Sequence, residues 1–233
     1  MGVAYVIPAC GFSTRFGMSN KLLADAGDGV PVLVHTVRAA LASNACLILV
    51  VVRPGDDAMR VALTACSATQ LALVDNEDFA EGMSSSIRTG ISALTGAFDL
   101  PDHHLQLSVS CKGVGVLPGD MPLMCGDVLD DLIEAFYAQD GARVIVPTIH
   151  AEGGGDIGRL EQRNPVIWPR AFWPQLSGLS GDRGGKTLLQ AVPNEQRLSV
   201  AFEDAMPFMD VDTQEGLLDL AKARQSFSRP GGS

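Results

Sequence analysis

The sequence predicts an α/β protein built on a mostly parallel sheet, and three observations carry that prediction. Short apolar runs alternate with segments of helical spacing about every 20–30 residues, the rhythm of βα units. One run, Cys46–Val52, is apolar without interruption, as strands buried on both faces of a parallel sheet are. Two runs lead straight into loops rich in small and charged residues, residues 8–21 and 118–122. In α/β sheets the ligand crevice lies beyond the carboxyl ends of the strands, and a first strand beside a central one brings two such loops together.

In chain order, Val3–Ile7 reads as the first strand and Pro31–Leu41 as a helix, with Val34, Val37, Ala40 and Leu41 at helical spacing. Pro31 suits a first helical turn. Cys46–Val52 is a strand, Asp57–Cys66 a helix and Leu71–Val74 a strand. Ser84–Leu94 is a helix with serines available as caps. Val114–Leu117 is a strand ending at Pro118-Gly119-Asp120, Val128–Tyr137 a helix and Val144–Pro147 a strand. Phe98–Lys112 and His150–Arg163 break the periodicity and read as inserted surface loops. With no repeat or linker between segments, residues 1–225 are expected to form one domain. The Ser/Pro/Gly-rich residues 226–233 are expected to be a disordered tail.

Composition narrows the function. With 233 residues, 46% hydrophobic and 19% charged, the chain is of globular type. Lys and Arg number 17 against 27 Asp and Glu, for a net charge of −10. Such a surface repels phosphate backbones, so a nucleic-acid partner is not expected, whereas a few local cations can still hold a small polyphosphate. The longest apolar run falls far short of the roughly 20 residues of a membrane span. Ile7-Pro8-Ala9-Cys10 loosely resembles a lipoprotein cleavage site, without the basic and apolar segments that precede one. Five cysteines without a CxxC, and four histidines without ligand spacing, suggest neither a disulfide framework nor a zinc site. A reducing, cytoplasmic setting is expected.

Several segments can carry chemistry. In Pro8-Ala9-Cys10-Gly11-Phe12-Ser13-Thr14-Arg15-Phe16-Gly17-Met18-Ser19-Asn20-Lys21, small residues let backbone N–H groups approach an anion, and Arg15 and Lys21 add positive charge. An ordinary solvated βα loop is the alternative. The glycine spacing is neither that of a Walker A loop nor GxGxxG. Asp120, at a strand's carboxyl end, suits Mg²⁺ completed by phosphate oxygens and water, or merely caps the next helix. Asp210 and Asp212 alternate if that segment is a strand, so at most one faces the site. Glu81–Arg88 could read a base or ribose through its hydroxyls, or be a serine-capped helix start. Asn164–Trp168 with Gly181–Lys186 is polar and glycine-rich, a candidate second anion site or a solvated loop.

Together these segments resemble one family. Pro8-Ala9-Cys10-Gly11, Ser13, Arg15, Gly17 and Asn20-Lys21-Leu22-Leu23 are similar to the LAAGxSxRxGxxNKLL signature of MobA-like nucleotidyltransferases. Gly82–Ile87, Gly119–Pro122, Asn164-Pro165-Val166, Gly181–Gly184 and Asp210–Thr213 resemble the further motifs of its molybdenum cofactor cytidylyltransferase branch. Pro8 and Cys10 depart from the Leu and Ala of the signature. The resemblance implies a Rossmann-like, three-layer α/β/α fold of the nucleotide-diphospho-sugar-transferase type. It implies Mg²⁺-dependent transfer of CMP from CTP to molybdopterin, with release of pyrophosphate. Arg15, Lys21 and Asp120 would be catalytic. Ala9, Cys10, Gly11, Ser13, Lys21, Gly82, Ser86 and Asp120 would bind nucleotide, with Ser86 on cytosine, and Asp120 and Asp212 would hold Mg²⁺. A molybdoenzyme or its chaperone would receive the product. A GTP-using relative, another phosphorylated acceptor, and a non-catalytic cofactor carrier are the alternatives. Cys10, in the nucleotide loop, is expected to be open to thiol reagents and shielded by nucleotide.

Overall fold

A computed structural model describes residues 2–11, 20–98, 100–150, 160–181, 184–211, 213 and 216–217. Among them eight strands form one sheet. In chain order the elements are β1 (Gly2–Pro8), α1 (Val32–Ala42), β2 (Leu47–Val52), α2 (Asp57–Leu63), β3 (Leu71–Asp75), α3 (Met83–Leu94), α4 (Asp102–Ser110), β4 (Cys111–Val116), α5 (Gly126–Tyr137), β5 (Val144–His150), β6 (Leu160–Gln162), β7 (Val166–Pro169), α6 (Trp173–Ser177), α7 (Lys186–Ala191) and β8 (Arg197–Phe202). The strand order is β3-β2-β1-β4-β7-β5-β6, and β8 also pairs with β5. The pairs β1–β2, β1–β4, β2–β3 and β5–β8 are parallel; β4–β7, β5–β7 and β5–β6 are antiparallel. The sheet is mostly parallel, as its apolar runs predict.

Alternation along β1 sorts the core into two faces. Val3, Tyr5 and Ile7 point to one side, where they join Leu33 and Val37 of α1, Met59 of α2, and Leu132 and Phe136 of α5. Ala4 and Val6 point to the other, into a cluster with Ile87 and Leu94 of α3, Trp168 of β7, Trp173 of α6 and Leu189 of α7. Burying each such side chain is worth about 1.5–3 kcal/mol, which drives helices onto both faces and yields three layers. Among the described residues no helix is long and apolar enough to cross a membrane.

The structure corrects four expectations. Phe98–Lys112 is not a surface loop: it holds α4 and the start of β4. His150–Arg163 is partly strand, since His150 of β5 pairs with Leu160 of β6 across residues 151–159, which lie outside the described set. Asn164–Trp168 is not a polar loop either. From Val166 it is a buried strand, inserted antiparallel beside β4 with Trp168 opposite Val114. Asp210 is not on a strand: a single 3-10 turn, Met206–Phe208, is followed by irregular chain. The alternation argument for Asp210 and Asp212 therefore lapses. The tail expected at 226–233 lies outside the described residues.

Candidate functional site

At the carboxyl edge of the sheet, β1 stays in step with β2 and with β4 past their last paired residues. Ala9 N donates to Val51 O at 2.8 Å and Leu117 N to Val6 O at 3.0 Å. This register lays Pro118-Gly119-Asp120 alongside Pro8–Gly11. The approach is so close that a Cβ on Gly119 would stand 3.1 Å from Pro8 O and 2.9 Å from Leu33 Cδ1. Thr36 of α1 donates to Gly119 O at 3.1 Å, and Val211 N donates to Asp120 O at 2.9 Å. The backbone of the turn is thus held from two sides while its carboxylate stays at the edge.

Lys21 opens a 3-10 turn, Lys21–Leu23, capped by Asn20, whose side chain accepts from Leu22 N at 3.1 Å. The Lys21 Nζ lies 2.5 Å from Asp120 Oδ2, with side-chain exposures of 21% for Lys21 and 16% for Asp120. The two charges singled out in the sequence are therefore an ion pair. Asp120 caps no helix: the next one, α5, starts at Gly126 with Cys125 at its cap.

On the other side of β1, Arg53 at the end of β2 donates to Cys10 O at 2.9 Å and Gly11 O at 2.6 Å. Asn76, at the end of β3, donates to Ser85 Oγ at 2.9 Å and Ser86 Oγ at 3.3 Å. Gly82 precedes α3 with φ +89° and ψ −161°, a region essentially restricted to glycine. It caps the helix without a side chain. The serines are not caps as expected but lie inside the first turn, Ser85 Oγ donating back to Gly82 O at 2.8 Å. The start of α3 and the stretch Leu179–Gly181, distant in sequence, meet here: Ser84 N donates to Gly181 O at 3.3 Å, and Arg88 donates to Leu179 O at 2.8 Å.

Cys10 does not match the exposed thiol expected of it. It is buried, its Sγ donates to Val51 O at 3.3 Å, and burial pushes its pKa up. A protonated thiol is a poor nucleophile, so the exposed Cys125 is the thiol that reagents reach first.

Beside the Asp120 turn lies a cleft of ≈ 790 Å³, bordered by Pro118, Met121, Arg163, Glu203, Asp204 and Asp210. A second cavity of ≈ 340 Å³, lined by Met83, Arg163, Trp168 and Lys186, shares Pro118 and Gln162–Asn164 with it. Among the described residues no cluster of three or more metal-ligating side chains exists. A divalent cation here would thus be held by few carboxylates and would take its remaining ligands from phosphate and water, the habit of Mg²⁺. Asp120, a hard oxygen donor on a turn joined by the Val211–Asp120 hydrogen bond to the segment that leads to Asp212, fits that requirement. Of the residues expected at the site, Ala9, Cys10, Gly11, Lys21, Gly82, Ser86 and Asp120 gather on this edge. Arg15, Ser13 and Asp212 lie outside the described residues. Arg53 and Asn76 join the site without a sequence signal, because neither belongs to a recognisable motif.

A three-layer α/β sheet whose first βα loop and β4 turn bring lysine and aspartate together defines a fold of nucleotidyltransferase type. The chain belongs to the MobA-like NTP transferase domain family, whose model matches residues 5–200. It is 32% identical over 151 residues to 2-C-methyl-D-erythritol 4-phosphate cytidylyltransferase of Streptomyces avermitilis, an alignment covering 63% of this chain and 53% of that protein. The chain spans about half the length of the curated relatives it matches. Among solved structures, Rv0371c of Mycobacterium tuberculosis superposes with a TM-score of 0.70 at 20% identity, covering 95% of this chain and 98% of that one. Rv0371c has also been solved in complex with manganese. A nucleotidyl transferase of Methanothermobacter thermautotroptrophicus gives 0.73 at 17% identity, covering 97% and 99%.

Proposed function

We propose that this protein transfers CMP from CTP to a phosphate-bearing acceptor and releases pyrophosphate. The observation that carries the reading is the Lys21–Asp120 pair, 2.5 Å apart, at the joined carboxyl ends of β1 and β4. A phosphate oxygen of the acceptor attacks the α-phosphorus in line. One P–O bond forms, the bond to the β-phosphate breaks, and the electron pair leaves with pyrophosphate. An anionic nucleophile needs no general base, so the protein's work is positioning and charge stabilisation. Lys21 stands where charge grows on the α-phosphate, and Arg15 grips the β- and γ-phosphates. The backbone of Ala9, Cys10, Gly11 and Ser13, with Gly82 and Ser86, borders base and ribose. Asp120 with Asp212 would hold a divalent cation, Mg²⁺ in this reading. When bound, the cation offsets charge on the triphosphate.

Molybdopterin is the acceptor we propose, on the motif set from Gly82–Ile87 to Asp210–Thr213 and on the roomy cleft of ≈ 790 Å³ beside Asp120. The names of the Streptomyces relatives favour a second reading, with 2-C-methyl-D-erythritol 4-phosphate as acceptor. Pyrophosphate release from CTP and Mg²⁺, measured with each acceptor in turn, separates them. Release with molybdopterin alone supports the first, and release with methylerythritol phosphate alone moves the assignment to the second. No release with either, from any nucleoside triphosphate, refutes nucleotidyl transfer to these acceptors.

A further inference from the structure

Asn76 is a buried polar side chain, 1% exposed, that no motif explains. It extends β3 along β2, its N donating to Val52 O at 2.9 Å, so it sits on the same edge as the nucleotide loop. Both ends of its amide are engaged. Nδ2 donates to Ser85 Oγ and Ser86 Oγ; Oδ1 accepts from Asp78 N at 3.1 Å and Thr89 Oγ1 at 3.2 Å. Asp78 N–H can only donate, which fixes the oxygen end of the amide and therefore the nitrogen end.

A fixed amide dictates the hydrogen-bond polarity of its neighbours. Both serine oxygens accept from Asn76, so each hydroxyl proton must point elsewhere. That of Ser85 goes to Gly82 O at 2.8 Å. Asn76 Nδ2 also reaches Cys10 Sγ at 3.9 Å, and that sulfur in turn donates to Val51 O. One side chain thus ties Gly82, at the start of α3, to Cys10, in the first loop, and sets which atoms between them donate and which accept. Cytosine and uracil have the same shape and differ in the polarity of one ring edge. Telling them apart requires a wall whose donors and acceptors cannot reorient.

We infer that Asn76 is a positioning residue that sets nucleobase selectivity, holding the Cys10 and Gly82–Ser86 segments at one spacing and one hydrogen-bond polarity. The inference rests on the reading that these segments border the base. Arg53, which grips the same loop through the backbone carbonyls of Cys10 and Gly11, serves as the contrast: these two bonds hold the loop's backbone.

The test compares kcat/KM for CTP and UTP in wild type, Asn76→Asp, Thr89→Val and Arg53→Met. Wild type is expected to favour CTP on the order of 100-fold or more, as sites that hydrogen-bond a substrate edge do. Asn76→Asp keeps the shape and removes both donors; it should cut that ratio at least about tenfold, mainly by raising KM for CTP. Arg53→Met should weaken both substrates and keep the ratio. If Asn76→Asp does not fold, Thr89→Val carries the test, since it frees one side of the amide; a fall in the ratio of about threefold or more is expected. A ratio equal to wild type in every folded variant at Asn76 and Thr89 overturns the inference while leaving the proposed function standing. A wild type that uses neither nucleotide, or both equally, removes the reading of the base site and this inference with it.

Discussion

Lys21 and Asp120 are separated by 99 residues yet lie 2.5 Å apart. Their pairing determines how a change at either should read out. Both are only partly shielded, so the ion pair itself adds about 1 kcal/mol or less to stability, and variants should fold. Asp120→Ala keeps the backbone carbonyl that receives Val211 N; metal-dependent transfer should be lost with little change in Tm. Full activity in that variant would remove Asp120 from the cation site. Lys21→Ala should lower kcat about 10²–10³-fold, the usual cost of deleting a charge-stabilising donor, with a smaller change in KM for CTP. An effect confined to KM would assign Lys21 to ground-state binding. Gly82 poses a backbone question instead. Its φ of +89° with ψ −161° strains any side chain by about 1–3 kcal/mol. Gly82→Ala should therefore lower Tm by a few degrees, at about 2–4 °C per kcal/mol; an unchanged melting curve would show that the turn can relax. Lys21 and Asp120 are legible in the sequence because chemically loaded loops after apolar runs mark the edge of an α/β sheet. Asn76 and Arg53 are not, because their roles arise from contacts that only the folded sheet creates.

Legibility at the scale of elements follows the strength of the apolar signal. β1, β2, α1, α3 and α5 carry long apolar stripes or runs and are readable to within a few residues. α4, Asp102–Ser110, escapes a periodicity reading because His104 and Ser108 are its buried residues, and neither marks an apolar stripe. β7 is four residues long and follows Asn164-Pro165, which reads as a turn. β8 alternates inward Leu198, Val200 and Phe202 with exposed Ser199 and Ala201, a period-2 signal that is present but weak on a half-exposed strand. α4 is also anchored by an unusual group. His104 Nε2 bonds Thr69 O at 2.8 Å, Nδ1 is buried without a partner, and the His103 ring lies 3.9 Å away. Burial holds the His104 pKa below its ordinary 6.5. Below pH 6.5 the unfolded chain then binds a proton that the folded chain resists, so stability falls as pH drops through that value toward the folded pKa. Tm should decline as pH falls below about 6.5, and His104→Gln should reduce that decline. An identical pH profile in the variant would place the acid sensitivity elsewhere.

The segments proposed to touch substrate are joined through one sheet, so ligand binding should be felt as global stability. The first loop leaves β1, the Asp120 turn leaves β4, and the Gly82 turn and Asn76 follow β3; β3, β2, β1 and β4 are consecutive parallel neighbours. A ligand that bridges these loops needs all four strands in register and has little affinity for the unfolded chain. At 100 times its Kd it adds about 2.7 kcal/mol, a rise in Tm of roughly 5–11 °C for a chain of this length. CTP with Mg²⁺ is therefore expected to raise Tm by that amount. CTP without a divalent cation should do less, because the −10 net charge of the chain opposes a bare triphosphate and only local cations and the bound metal offset it. Asp120→Ala should erase the difference between the two conditions while retaining the metal-independent part. A larger shift with GTP than with CTP would transfer the assignment to a guanylyl donor. Equal shifts with all four nucleotides would locate recognition in the triphosphate alone and leave the Asn76 wall without a base to read.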